Sequence, residues 1–172
     1  MTIQRKGYLK LLEWKNSIER RPLLLRGARQ VGKTTLVREF SKEFTNYIEL
    51  NLEREADRNL FQIDDIEKIL NASYLLKGVT PNNEPTLLFI DEIQESPKAI
   101  QLLRYFYEER PDIYVVAAGS LLEFALTKVP SFPVGRIDYL YLYPLNFEEY
   151  LGAIENKGAL DALTTIPIPD YA

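Results

Sequence analysis

The chain has 172 residues, 46% hydrophobic and 27% charged, with a formal net charge of -4; this fits one soluble domain with a real core and argues against a chain built mainly to coat nucleic acid. It contains no cysteine and no histidine, which excludes disulfides, thiolate chemistry, Cys-ligated zinc, Ser-His triads and nearly all catalytic zinc sites. Carboxylates, Lys, Arg, hydroxyls, the backbone and a hard cation such as Mg²⁺ remain, and phosphoryl transfer is one of the few reactions that needs nothing more.

No apolar run approaches the roughly 20 residues that span a bilayer. The charged start Met1–Lys6 is followed by no apolar h-region, so a signal peptide is not expected and the cytoplasm is the default location.

In chain order, residues 3–19 read as an amphipathic helix, with Tyr8, Leu11, Leu12, Trp14 and Ile18 near helical spacing. Pro22 is expected to end it. Leu23-Leu24-Leu25 is too short for a helix and suits a buried parallel strand. From Lys33 a second helix puts Leu36, Val37, Phe40 and Phe44 on one face. Tyr47–Leu50 is a second strand, and 63–77 is helical along Ile66, Ile69, Leu70 and Tyr74.

Pro81–Pro85 is a loop, and Leu87–Ile90 a third buried strand. Ser96 is placed to cap a helix that starts on Pro97. Ile113–Ala118 and Tyr139–Tyr143 give a fourth and a fifth strand, the latter stopped by Pro144. Asn146–Leu163 looks helical, and Thr164–Ala172 gives no element signal. Apolar strands alternating with helices predict an α/β fold with a mainly parallel sheet covered on both faces, a three-layer α/β/α sandwich.

The segment Gly27-Ala28-Arg29-Gln30-Val31-Gly32-Lys33-Thr34 matches G-x-x-x-x-G-K-[ST], the Walker A pattern, between a strand and a helix. The two glycines let the backbone curl so that successive N–H groups face phosphate oxygens, at a helix N-terminus that favours negative charge. Lys33 is a mobile charge for the β- and γ-phosphates, Thr34 a hydroxyl for Mg²⁺, and Thr35 a contact for the α-phosphate. Arg20, Arg21, Arg26, Arg29 and Lys33 are read together as holding the potential of one bound triphosphate.

Leu87-Leu88-Phe89-Ile90-Asp91-Glu92 has the Walker B form. Asp91, at the C-terminal end of a buried strand, is placed to meet the metal held by Thr34, and Glu92 to orient or deprotonate the attacking water. Gln94 is a weaker candidate beside that water. Ser120 either senses the γ-phosphate or caps a helix from Leu121 with Glu123 at its third position, and the two readings are compatible. Arg136 is either an arginine finger, a role worth roughly 10³–10⁵ in rate, or a surface ion-pair partner. Arg104 reads as solvated, and Tyr139, Tyr141 and Tyr143 as packing against helices rather than stacking on bases.

Those segments, with Gly119-Ser120-Leu121-Leu122 and Gly135-Arg136 through Pro144-Leu145-Asn146-Phe147-Glu148-Glu149-Tyr150, resemble a family of prokaryotic AAA-type ATPases. In that family an N-terminal ATPase domain precedes a C-terminal domain of unknown function. The resemblance covers about residues 5–152. It implies a P-loop NTPase sheet with an additional strand and a catalytic glutamate, in the order 5-1-4-3-2.

It further implies ATP and Mg²⁺ as ligands, and hydrolysis that drives a conformational change in an attached domain or partner. Ser120 becomes a sensor, and Arg136 a finger acting across a subunit interface, which makes a homo-oligomer an expectation. A DNA or protein target is left open. The expected division is an ATPase domain over 1–152 and the start of a helical lid or linker over 153–172, apparently truncated. A nucleotide-binding switch with little hydrolysis is the alternative.

Overall fold

The computed structural model describes residues 5–120 and 135–165. The predicted helix at Leu121, the first residues of the predicted N-terminal helix and the tail beyond 165 lie outside them.

Five strands form one sheet: β1 (Leu23–Arg26), β2 (Asn46–Asn51), β3 (Thr86–Asp91), β4 (Tyr114–Gly119) and β5 (Asp138–Tyr141), in the order β2-β3-β4-β1-β5. Every pairing is parallel. This is the expected order 5-1-4-3-2 read from the other edge. All residues of β3 are buried, which explains a run that is apolar on both faces.

Alternation along the strands divides the core in two. Leu24, Ile48, Leu88, Ile90, Val115 and Ala117 face α4 (Ile66–Lys77) and α5 (Pro97–Glu109) through Ile69, Leu70, Leu103 and Phe106. Leu23, Leu25, Leu87, Phe89, Val116 and Leu140 face α1 (Lys6–Lys15) and α2 (Lys33–Phe40) through Leu11, Trp14, Val37 and Phe40. Trp14 packs at 6.3 Å from Phe40 and 6.2 Å from Tyr114, and its indole N–H donates to the Arg21 carbonyl at 2.8 Å.

Helix ends differ from the expectation. α1 stops at Lys15, not near Pro22, and Ile18 is fully exposed; Asn16 and Ser17 favour turns over helix interior. α2 ends at Phe40 and tightens into a 3₁₀ turn over Ser41–Glu43. Phe44 still packs edge-on against Phe40 at 5.2 Å, so the apolar spacing outlives the helix.

A short helix, α3 (Glu55–Leu60), was not expected from so polar a segment. It is held by buried Asp57, which accepts from the Asn51 N–H at 2.8 Å and pairs with Lys77 at 2.8 Å. Ser96 does cap α5, accepting from the Ala99 N–H. The expected single helix over 146–163 is two, α6 (Phe147–Ala153) and α7 (Lys157–Thr165), broken where Glu155 takes a φ of 56°, and the second runs two residues past the expected end. No helix among the described residues is long and apolar enough to cross a membrane.

Candidate functional site

In a parallel sheet every strand delivers its C-terminal residue to the same edge. The loop 27–32 leaves β1 there and enters α2 at Lys33. The loop needs its glycines for different reasons. A Cβ on Gly27 would stand 2.3 Å from the Leu142 carbonyl oxygen, inside any tolerable contact. Gly32 has a φ of 91°, in the left-handed region, and Gln30 shares that region at 62°. Gly32 is also the N-cap of α2 and offers no side-chain acceptor, which leaves first-turn amides available to an outside acceptor.

Lys33 is buried, and its ammonium donates to the Gly27 carbonyl at 2.9 Å and to the Ala28 carbonyl at 2.8 Å. Burial pulls its pKa below the ordinary lysine value, against the charges of Glu92 and Asp91 and with help from Arg29. Ala28, Arg29, Gln30 and Thr35 are exposed around it, while Val31 is buried.

The Thr34 hydroxyl, in the first turn of α2, donates to Asp91 Oδ2 at the end of β3 at 2.7 Å. Asp91 is buried, and burial pushes its pKa up; the Thr34 hydroxyl and the Glu92 N–H oppose the shift, and the charges of Glu92 and Glu49 add to it. Glu92 follows in a left-handed conformation, φ 52°. Gln94 Nε2 donates to Glu92 Oε2 at 2.5 Å, and Gln94 Oε1 is buried with no hydrogen-bond partner among the described residues.

Ser120 is buried directly after β4. Gly119 registers with Arg26, so Ser120 lies level with Gly27, beside the loop. Lys33, Thr34, Asp91, Glu92, Gln94 and Ser120 therefore gather at one edge.

Arg136 does not join them. It precedes Asp138, which registers with Leu23 at the start of β1, so it sits at the opposite end of the sheet. There it pairs with Glu108 at 3.2 Å, and Glu108 also pairs with Arg104 at 2.9 Å.

Two expectations need correction. The five cations do not converge. Arg20 and Arg21 precede β1 at the far end, with Arg20 stacked 3.6 Å over the Tyr114 ring. Only Arg29 and Lys33 belong to the loop. Nor are the β5 tyrosines covered by helices: Tyr139, Tyr141 and Tyr143 are exposed. Arg26 lies over the Tyr139 and Tyr141 rings and donates to the Tyr141 hydroxyl at 2.7 Å; its guanidinium is engaged with those rings rather than with the loop.

Arg5 is the residue that sequence reasoning missed. Its guanidinium donates to the Val31 carbonyl at 2.9 Å, to the Tyr143 carbonyl at 2.6 Å and to Glu149 at 3.3 Å. No local pattern marks an arginine whose partners are so far along the chain.

The arrangement offers one buried cation, two carboxylates and two hydroxyls around a curled backbone. Among the described residues no group of three or more acidic side chains could hold a metal alone. A hard cation held by one hydroxyl and one carboxylate, with the remaining positions filled by water and phosphate oxygens, is the usual arrangement for Mg²⁺, and Thr34 with Asp91 fits it.

A family model described as an AAA domain matches residues 19–151. No curated protein matches the chain. Among solved structures, the chain is similar to the Walker-type ATPase PABY2304 of Pyrococcus abyssi, at 19% identity and a TM-score of 0.60, covering 98% of this chain and 60% of that one. It is also similar to a chain of the Drosophila ORC bound to DNA, at 17% identity and a TM-score of 0.57, covering 91% of this chain and 48% of that one. At these identities the likeness is one of fold, and the chain spans 60% and 48% of the two proteins.

Proposed function

The chain belongs to the AAA domain family, and on that premise we propose that it binds ATP with Mg²⁺ and hydrolyses the β–γ phosphoanhydride. One observation carries the reading: a buried lysine rests on the carbonyls of its own loop while a half-buried hydroxyl, bonded to a buried carboxylate, stands beside it. Burial works against both charges. A ligand that brings anionic phosphate to Lys33 and a divalent cation to Thr34 and Asp91 relieves both.

In this reading Lys33 leaves the Gly27 and Ala28 carbonyls for the β- and γ-phosphates. The amides from Ala28 to Thr35 surround the phosphates. Thr34 and Asp91 hold Mg²⁺, which when bound neutralises charge on the phosphate oxygens. Glu92 orients a water and takes its proton as that water's oxygen bonds to the γ-phosphorus, leaving ADP and phosphate. Ser120, level with Gly27, contacts the γ-phosphate or the water.

Arg136 is too far round the sheet to serve its own site, so a finger role requires a neighbouring copy in a homo-oligomer. We retain 1–152 as the ATPase unit and 153–172 as a lid or linker region, coupled to a DNA or protein target in the cytoplasm; the DNA-bound ORC neighbour makes DNA the first target to try.

A second reading, a nucleotide-gated module with little turnover, draws on the hydrogen bond that already occupies Glu92. Phosphate release and ATP binding, measured on the parent and on Glu92→Gln, separate the two. Turnover in the parent, a loss of at least about a hundredfold in the variant and binding in both support hydrolysis. Binding without turnover in either supports the module. No binding by the parent refutes both.

A further inference from the structure

Val31 and Gly32 share one peptide unit, and in a trans peptide the C=O and the N–H point in opposite directions. Whatever holds the Val31 oxygen therefore aims the Gly32 N–H. Arg5 Nη1 holds that oxygen at 2.9 Å, and it lies 3.6 Å from where a Gly32 Cβ would be. The backbone on either side takes positive φ, 62° at Gln30 and 91° at Gly32, a conformation that persists only when its surroundings over-determine it.

The same guanidinium reaches the C-terminal helices. Nη2 donates to the Tyr143 carbonyl at 2.6 Å, and Nε to Glu149 at 3.3 Å. Glu149 is the third residue of α6. It closes a capping box with Asn146, accepting from the Asn146 N–H at 3.0 Å, and it also accepts from the Lys6 N–H at 2.8 Å. The Arg5 and Glu149 side chains are only 13% and 7% exposed, so water screens the pair little. A planar fork with donors in three directions can bridge a loop, a strand end and a helix start; an ammonium cannot match that geometry.

We propose that Arg5 is a positioning residue, which aims the Gly32 N–H at the nucleotide phosphates and, through the Tyr143 carbonyl and Glu149, makes the start of α6 respond to nucleotide in the loop. The inference rests on the nucleotide reading of that loop. It gives α6 a reason to be tied to the loop by side chains from the N-terminal segment, rather than merely packed beside it. Coupling is reciprocal: whatever displaces α6 weakens nucleotide binding.

The test uses the whole chain as the parent, Arg5→Lys, Arg5→Ala and Glu149→Gln. Binding of ADP with Mg²⁺ is measured by calorimetry, hydrogen exchange of amides 147–153 with and without ADP, and thermal unfolding of each. Arg5→Lys keeps the charge and loses the fork. Glu149→Gln keeps a capping side chain and loses the ion pair.

Both Arg5 variants are expected to bind ADP about tenfold more weakly, the scale of one charged hydrogen bond. Glu149→Gln is expected to stay within about threefold of the parent, well short of that tenfold loss. ADP is expected to slow exchange in 147–153 in the parent and not in any variant. Lowered unfolding temperatures with unchanged affinity and parent-like protection would reduce Arg5 to a fold contact and overturn the inference alone. Failure of the parent to bind ADP overturns the nucleotide reading and this inference with it. Should Arg5→Ala not fold, Arg5→Lys and Glu149→Gln decide the matter.

Discussion

Gly27→Ala tests whether the loop is held against the end of β5 by backbone contact. The new methyl would meet the Leu142 carbonyl oxygen at 2.3 Å and the Val31 side chain at 3.2 Å. The carbonyl cannot swing away cheaply. Its own residue donates to the Arg26 carbonyl at 2.8 Å, and the Leu142 side chain is buried over Gly7 of α1. Relief therefore moves the loop, the strand end or α1.

Overpacking of this kind costs about 1–3 kcal/mol, with the upper end expected because the obstacle is backbone. The strained φ of 153° adds about 1 kcal/mol. For a domain of this length, about 3–4 kcal/mol lowers the unfolding midpoint by roughly 6–16 °C. Circular dichroism melts of Gly27→Ala, with Gly152→Ala as control, check this. Gly152 lies inside α6 with nothing within 4 Å of an added Cβ, so alanine there should leave the midpoint level or raise it. A Gly27→Ala melt within about 1 °C of the parent, far inside the worked range, would refute the argument from contact.

Two further outcomes are expected. Lys77→Met leaves the buried Asp57 carboxylate with the Asn51 N–H but no cation; it should cost close to 3 kcal/mol, the low end for breaking a buried pair because Lys77 keeps some solvent, read as a shift in urea midpoint at constant slope. Glu49 is held below the ordinary glutamate pKa chiefly by Arg38, with the Tyr47 hydroxyl also donating. A carboxylate with a lowered folded pKa stabilises above its unfolded pKa and loses that contribution as pH falls through the folded value. Glu49→Gln should therefore cost up to about 1 kcal/mol at neutral pH, with the gap closing in acid; a gap that widens in acid contradicts the assignment.

The residues that were legible in the sequence are those whose type answers a need of their own backbone. Gly27, Gly32, Lys33 and Thr34 lie within one turn of strand, loop and helix, and each has a local reason. Asp91 was legible because an apolar run fixed the direction and end of β3. Arg5 was not, because its partners stand 26, 138 and 144 residues away. The cations around β1 were misjudged for a related reason: closeness along the chain does not say which end of a strand a residue occupies. Arg20 and Arg21 precede β1, and Lys33 follows it. The tyrosines of β5 alternate outward as a strand requires, but which neighbour meets them depends on Arg26, a residue of the next strand. α3 escaped notice because six residues, four of them polar, carry no period, and what holds it is an ion pair to α4.

The single tryptophan gives the molecule a built-in optical reporter. Trp14 touches Phe40 at the end of the helix that begins with Lys33, and Tyr114 at the start of β4. Its emission therefore samples the far end of the α1–α2 layer, away from the sheet edge where ligand would absorb. A small rigid-body shift of α2 changes the ring's packing at the opposite end of that helix, so events in the loop can be followed in real time on the unlabelled protein.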